Sequence, residues 1–153
     1  LDILVGNAAI LGTLSPLGHI DPKIWDQVMA INSTANWRLL RSMDPLLQRS
    51  DAGRAIFVTS TVGAAARAYW GAYATSKAAL EMMVKIYAAE NANTHVRANL
   101  INPGATRTGM RAQAMPGEDP LSVKSPDEVA EAFVQLALPS LKDNGKTVDS
   151  NNN

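Results

Sequence analysis

The sequence has 153 residues, of which 46% are hydrophobic and 18% are charged, and its formal net charge is zero. This composition is typical of one globular domain with its own core, and the lack of basic or acidic blocks argues against nucleic acid or a membrane surface as a partner. Cysteine is absent, which excludes disulfides and thiolate metal sites; we predict no metal site and expect a cytoplasmic protein.

Strand-like and helix-like segments alternate along the chain. The patterns predict strands at 1–5, 54–60 and 96–101, and helices at 22–48, 71–91 and 126–139. The first strand is rich in aliphatic and β-branched residues, so we expect both of its faces to be buried. Asp21 before Pro22 favours a helix start, and Ser125 followed by Glu128 matches a capping box.

Two stretches carry weaker patterns. Residues 105–124 contain prolines and methionines without a clear period and predict a mobile lid. The polar tail, 140–153, predicts at most a residual strand at 146–148, with disorder at the final three asparagines. The chain begins with Leu1 inside a strand-like run, so we expect that the N-terminal part of its natural protein is absent.

The alternation of strands and helices predicts an α/β fold with a parallel sheet of about three strands and right-handed crossover helices. In such sheets, ligands bind beyond the carboxyl ends of the strands. Polar and glycine residues stand at each of these ends: Gly6-Asn7, Thr59-Ser60 and Asn102-Pro103-Gly104. The sequence therefore predicts a functional site at this edge of the sheet.

Ser60, Tyr73 and Lys77 form a candidate catalytic set. Tyr73 and Lys77 are four residues apart on a predicted helix and share one face, and Ser60 ends the preceding strand. A phenol has a reference pKa of about 10, which a neighbouring ammonium lowers. The set suits proton transfer at a carbonyl or alcohol oxygen, with a redox cofactor to carry the hydride. Alternatively, Tyr73 and Lys77 are a helix-surface pair and Ser60 is a strand-end cap.

Asn32 lies in the middle of an apolar stripe on the first predicted helix. The other members of this stripe include Trp25, Met29, Leu39 and Met43. A buried amide needs hydrogen-bond partners, which is compatible with a role at the site. A helix-bending or interhelical hydrogen bond is an equally good interpretation of Asn32 taken alone.

Together, these residues resemble the short-chain dehydrogenase/reductase family, of the single-domain bacterial kind. The resemblance covers nearly all of residues 1–139 and rests on five segments in the family's order: Leu4-Val5-Gly6-Asn7-Ala8-Ala9, Met29-Ala30-Ile31-Asn32, Ser60, Tyr73-Ala74-Thr75-Ser76-Lys77, and Asn102-Pro103-Gly104-Ala105-Thr106-Arg107-Thr108. It implies a Rossmann-like, doubly wound parallel sheet, of which residues 1–139 are the catalytic, C-terminal portion.

The resemblance also implies an activity and partners. The activity would be oxidoreduction, with a hydride moving between NAD or NADP and a small-molecule carbonyl or alcohol. Homo-oligomers would form through helices 22–48 and 71–91. No nucleic acid and no membrane is expected as a partner.

The roles that the resemblance implies are specific to each residue. Tyr73 would be the general acid/base, and Lys77 would lower its pKa and bind the nicotinamide ribose. Ser60 would orient the substrate oxygen, and Asn32 would hold a helix kink and a proton-relaying water. Further cofactor contacts would come from Asn7, Ala8, Pro103, Gly104 and Thr108, and substrate-pocket walls from Tyr69 and Trp70.

The sequence departs from the family pattern where the cofactor's phosphates would bind. It contains no Gly-x-x-x-Gly-x-Gly segment, and the residue that selects NAD or NADP is missing with it. An inactive or oligomerising fragment is therefore the alternative function. An isomerase or dehydratase using the same Tyr and Lys ranks last, because extended enzymes of that sort carry a large C-terminal substrate domain.

Overall fold

A computed structural model of the chain describes residues 1–150, so the disorder predicted for 151–153 lies outside the described residues. The strands are β1 (Ile3–Gly6), β2 (Arg54–Val58), β3 (Arg97–Asn102) and β4 (Thr147–Asp149). The helices are α1 (Pro22–Met29), a π-helical segment (Ala30–Thr34), α2 (Ala35–Leu47), α3 (Thr61–Ala64), α4 (Gly71–Glu90), α5 (Gly109–Ala114) and α6 (Pro126–Ala137), with 3₁₀ turns at Leu17–His19 and Pro120–Ser122.

Within residues 1–150, the sheet has four parallel strands in the order β1-β2-β3-β4. The predicted α/β fold with a parallel sheet is confirmed, whereas the count of about three strands is too low. The fourth strand is the residual strand of the polar tail, which pairs Thr147–Asp149 with the end of β3. A strand of three residues is too short to show an alternating apolar and polar pattern in the sequence. It is recognised in the structure by its pairing with β3.

Helices cover both faces of the sheet. On one face, α2 and α4 pack against alternate residues of β2 and β3; this cluster includes Leu40, Leu47, Ala55, Phe57, Leu80, Val84, Tyr87, Ala98 and Leu100. On the other face, α6 packs against the remaining residues; this cluster includes Ile56, Val58, Ile101 and Leu136. Because strand side chains alternate between faces, β2 is buried along its whole length, as a doubly wound sheet requires.

The expectation that the first strand is buried on both faces is wrong within residues 1–150. Ile3 and Val5 are 45% and 44% exposed, whereas Leu4 packs against the core. The strand lies at one edge of the sheet, and among the described elements α2 covers only the Leu4 face. An aliphatic run shows that a strand has apolar side chains on both faces. Whether each face is buried depends on which helices or strands cover it.

The helix predicted over 22–48 is interrupted by the π-helical segment. Its start is confirmed, because the Asp21 side chain accepts a hydrogen bond from the Lys23 backbone N–H at 2.8 Å. The predicted stripe is displaced in part. Its members Asn32 and Asn36 are buried, but Trp25, Met29, Leu39 and Met43 are only half-buried, and the other buried positions of these helices include Val28, Leu40 and Leu47. For Leu39 and Met43 the π turn supplies a reason, because it adds a residue to one turn of helix and so shifts the register of the residues that follow it.

The stretch 105–124 contains short elements that the sequence pattern missed. Thr108 caps α5, because its hydroxyl accepts a hydrogen bond from the Arg111 backbone N–H at 3.2 Å. The Arg111 guanidinium donates to both carboxylate oxygens of Glu118, at 2.6 and 2.5 Å, and so ties α5 to the following turn. Among residues 1–150, no helix is both long and apolar enough to cross a membrane.

Candidate active site

A cavity of about 370 Å³ lies where β1, β2 and β3 end. All but one of the predicted catalytic and cofactor-binding residues line it: Asn7, Ala8, Ser60, Tyr73, Lys77, Pro103, Gly104 and Thr108. The exception is Asn32, which is fully buried behind the cavity. The polar edge that the sequence predicts is therefore the edge at which the cavity opens.

Tyr73 lies in the first turn of α4 and presents its phenol to the cavity beside Ser60. Burial raises the pKa of the Tyr73 phenol above its ordinary value, and side-chain hydrogen bonding with Ser60 opposes that rise. The Trp70 ring meets the Tyr73 ring edge-on, with centroids 6.0 Å apart, which fixes the phenol's direction. At neutral pH the group is a protonated phenol, ready to donate.

Lys77 lies one turn after Tyr73 and is only 2% exposed. Its Nζ donates a hydrogen bond to the Val58 carbonyl oxygen at 2.7 Å and lies 5.6 Å from the centroid of the Tyr73 ring. Burial lowers the pKa of Lys77 to about 8. The side chain is therefore an ammonium at neutral pH, close enough to the phenol for its charge to favour the phenolate.

Asn32 connects three segments rather than lining the cavity. Its side chain donates to the Ile10 carbonyl at 2.9 Å, and its Oδ1 accepts from the Ile10 N–H at 2.8 Å, so the amide pairs with the backbone like a strand neighbour. Its Nδ2 also donates to the Ser76 hydroxyl at 3.0 Å. The π-helical segment around Asn32 places the amide at this junction.

Ser33 and Ser76 belong to the same network, and sequence reasoning missed both. The Ser76 hydroxyl donates to the Tyr73 carbonyl at 2.7 Å, while the Ser33 hydroxyl donates to the Ser76 carbonyl at 2.9 Å. These bonds fasten the first turns of α4 to the π-helical segment. The available signal was position, because Ser76 stands between Tyr73 and Lys77 on a helix whose other face is apolar.

The opposite side of the cavity is formed by small residues and a tight turn. Gly104 has a φ of 69°, in the left-handed region that favours glycine, and its N–H donates to Asn102 Oδ1 at 3.2 Å. A Cβ at Gly6 would overlap the Phe57 ring and the Asn36 amide, so glycine is needed where β1 ends. Gly104 and Ala8, which line the cavity, leave backbone accessible to a ligand there.

The structure separates the two predicted substrate-pocket walls. Trp70 lines the cavity, whereas Tyr69 is outside the lining and is exposed, with a φ of 74°. The lining also includes Thr59, from the predicted polar edge, and Met110 and Arg111, from the predicted lid at 105–124. Among residues 1–150, no cluster of histidine, aspartate and glutamate side chains has the arrangement to hold a metal ion.

A sequence model of the short chain dehydrogenases matches residues 1–119. The chain belongs to the short-chain dehydrogenase family. Its Tyr73 and Lys77 lie in the matched region, as do Asn32, Ser60 and the turn at Gly104.

Curated and solved members of the short-chain dehydrogenase family resemble the chain along nearly all of its length. It is 42% identical to the uncharacterized oxidoreductase YciK of Escherichia coli K12, over 98% of this chain and 60% of that protein. A short chain dehydrogenase from Salmonella enterica serovar Typhi superposes with a TM-score of 0.95 at 44% identity, over 98% of this chain and 62% of that one. One from Shigella flexneri 2a, solved in complex with NADP, gives 0.94 at 42% identity, over 99% and 63%.

The chain thus spans about 60% of the length of the curated relative YciK. The shared part carries the cavity and the Tyr73–Lys77 helix, and the likeness at this level of identity shows both the fold and the family.

Proposed function

We propose that the chain carries the proton-handling part of an NAD(P)-dependent oxidoreductase that interconverts a carbonyl and an alcohol. The observation that carries this proposal is the convergence of the Ser60 hydroxyl, the Tyr73 phenol and the buried Lys77 ammonium on one cavity. Such a set can hold a carbonyl oxygen, give it a proton and compensate the phenolate that remains.

Each residue has a distinct part in the proposed reaction. Ser60 donates a hydrogen bond to the substrate oxygen and so aims it at Tyr73. Tyr73 gives its proton to that oxygen in reduction and takes it back in oxidation. Lys77 stabilises the phenolate by its charge, and Asn32 holds the start of α4 through Ser76. A nicotinamide supplies or accepts the hydride when it is bound.

The residues around the cavity fit a nicotinamide ribose. Lys77 and Tyr73 offer an ammonium and a phenol that can bond ribose hydroxyls, and Ala8 and Gly104 leave space for close backbone approach. Asn7, Pro103 and Thr108 complete the proposed cofactor side. The Shigella flexneri relative was solved with NADP, so NADP is the cofactor to test first and NAD is the second.

We expect the full-length protein to bind NADPH or NADH with quenching of tryptophan fluorescence, because Trp70 lines the cavity. The titration is repeated with Trp70→Phe and with Trp25→Phe, whose tryptophan is outside the cavity lining. Trp70→Phe should lose most of the quenching, and Trp25→Phe should keep it. If neither nucleotide binds, the oxidoreductase proposal fails and the inactive or oligomerising alternative takes its place.

The outer face of α2 and α4 supports the proposed homo-oligomer. Trp37, Met82 and Ile86 are each at least half exposed there and line one groove. Apolar side chains grouped in this way on a surface are typical of a protein interface. The cytoplasmic location stays a prediction from the lack of cysteine.

Introducing a charge into this groove should weaken self-association. We expect Ile86→Glu to lower the molar mass measured by sedimentation velocity, because a carboxylate would have to be buried on association. Val134→Glu is the matched control, since Val134 is equally exposed but lies on α6. A monomeric parent, or an Ile86→Glu variant that keeps the parent's mass, would contradict this interface.

A further inference from the structure

A buried hydrogen bond joins the end of β2 to α4 beside the site. The Thr59 hydroxyl donates to Glu81 Oε1 at 2.6 Å, and the two residues are only 2% and 8% exposed. Neither side chain has a part in the reaction proposed above. A carboxylate is costly to bury, so its place here calls for a reason.

The position of Thr59 supplies that reason. It stands between Val58, whose carbonyl accepts the Lys77 hydrogen bond, and Ser60, whose hydroxyl faces Tyr73. Glu81 lies one turn after Lys77 on α4. Two successive turns of α4 therefore bond two successive residues at the end of the strand. Lys77 donates to the Val58 carbonyl, and Glu81 accepts from the Thr59 hydroxyl.

Gly63 shows how closely these groups are packed. A Cβ at this position would lie 2.8 Å from Glu81 Oε1, 3.1 Å from Thr59 Oγ1 and 3.2 Å from Lys77 Cβ. Helix α3, which follows Ser60, thus packs directly against the hydrogen bond and the aliphatic part of the lysine side chain. The Thr59–Glu81 pair and Lys77 therefore pack against the same glycine.

A surface ion pair does not account for Glu81. Lys85 Nζ lies 3.7 Å from Glu81 Oε2, but the Lys85 side chain is 47% exposed, and such pairs contribute little. The other carboxylate oxygen points inward, to Thr59.

We propose that Thr59 and Glu81 are a positioning pair. Their hydrogen bond fixes the Val58 carbonyl and the Ser60 hydroxyl relative to α4, so that the carbonyl reaches Lys77 and the hydroxyl reaches Tyr73. This inference rests on the proposed function for its catalytic meaning, but the geometry that it asserts can be tested without turnover. Loss of the Thr59–Glu81 hydrogen bond lets the end of the strand move away from α4 and deprives Lys77 of its acceptor, the Val58 carbonyl. While the lysine stays buried, the loss of its acceptor disfavours the protonated form further, so its pKa falls below the value of about 8 to which burial already lowers it.

The test follows the titration of Lys77 in the full-length protein by NMR of [¹³Cε]lysine, with the resonance assigned from Lys77→Met. Tyr73 and Glu81 are the titratable groups one turn before and one turn after Lys77 on α4, and Thr59→Val changes the charge of neither. We expect Thr59→Val to lower the pKa of Lys77 by about half a unit or more. Thr59→Ser keeps the donor and should titrate like the parent. Glu81→Gln keeps an acceptor but removes a negative charge one turn from Lys77, so it should lower the pKa of Lys77 by less than Thr59→Val does.

Two further variants keep the result decisive. Tyr87→Phe removes a 2.7 Å hydrogen bond from α4 to Asp44, far from the site, and should leave the Lys77 titration unchanged. Gly63→Ala adds a methyl group 2.8 Å from Glu81 Oε1 and 3.1 Å from Thr59 Oγ1, so it should disturb the same hydrogen bond. It should lower the pKa of Lys77 even if Thr59→Val does not fold.

An unchanged Lys77 pKa in folded Thr59→Val or in Gly63→Ala overturns the positioning pair. A Glu81→Gln shift as large as that of Thr59→Val also overturns it, because the carboxylate charge would then be the cause. NADPH binding is measured on the same samples: a parent that does not bind it refutes the proposed function, while the titration still decides the positioning pair.

Discussion

Tyr73→Phe in the full-length protein is expected to lower turnover by about 10²–10⁴-fold, the usual contribution of a general acid or base. The variant keeps the ring that packs edge-on against Trp70, so the shape of the cavity is retained. It removes the atom that, in the proposed reaction, gives or takes the proton of the substrate oxygen. NADPH affinity, measured by fluorescence, should stay close to that of the parent because Lys77 and the small residues remain.

Tyr87→Phe is the matched control for this experiment. Tyr87 is also buried on α4, and its phenol donates to Asp44 at 2.7 Å, outside the cavity lining. We expect this variant to lose some stability and to keep its turnover per folded molecule. Turnover of Tyr73→Phe within a few-fold of the parent would refute the role proposed for Tyr73.

The part of the site that is local in sequence could be predicted. Tyr73 and Lys77 share a helix face because they are four residues apart, and Ser60 reaches them because it ends a strand. The parallel topology then places Asn7 and Gly104 at the same edge. These predictions needed only the period of each element and the polarity of strand ends, and the structure brings all five residues to one cavity.

The part that depends on long-range packing could not be predicted. The pairing of the Asn32 amide with the Ile10 backbone requires a π-helical segment, and a π turn has no sequence period of its own. The Thr59–Glu81 bond joins residues 22 positions apart, which become neighbours only when β2 packs on α4. The exposure of Ile3 was missed for the related reason that burial depends on what covers a strand.

In the proposed reaction, Lys77 and Asn32 support Tyr73 in different ways, and this distinction decides which variants are informative. Lys77 acts through charge, so its effect changes with pH. Asn32 acts through position, by way of Ser76 and the start of α4, so its effect should be constant across the pH range. A pH profile therefore separates the two even where both variants lower the rate.

Lys77→Met is expected to lower turnover by about 10²-fold or more, because the phenolate left after proton transfer loses its compensating charge. In the parent, burial lowers the pKa of Lys77 to about 8, so the ammonium is complete below that pH and is lost above it. Carbonyl reduction by NADPH should therefore decline as the pH rises through about 8. Lys77→Met should lack this decline, since it has no group to titrate.

Lys77→Arg and Lys85→Met complete the measurement. Arginine stays charged throughout, so Lys77→Arg should be slower than the parent for geometric reasons and yet show no decline near pH 8. Lys85 is half-exposed on the same helix, and Lys85→Met should keep both the rate and the profile of the parent. A decline near pH 8 that persists in Lys77→Met would mean that another group titrates there, and the charge of Lys77 would no longer explain how Tyr73 works.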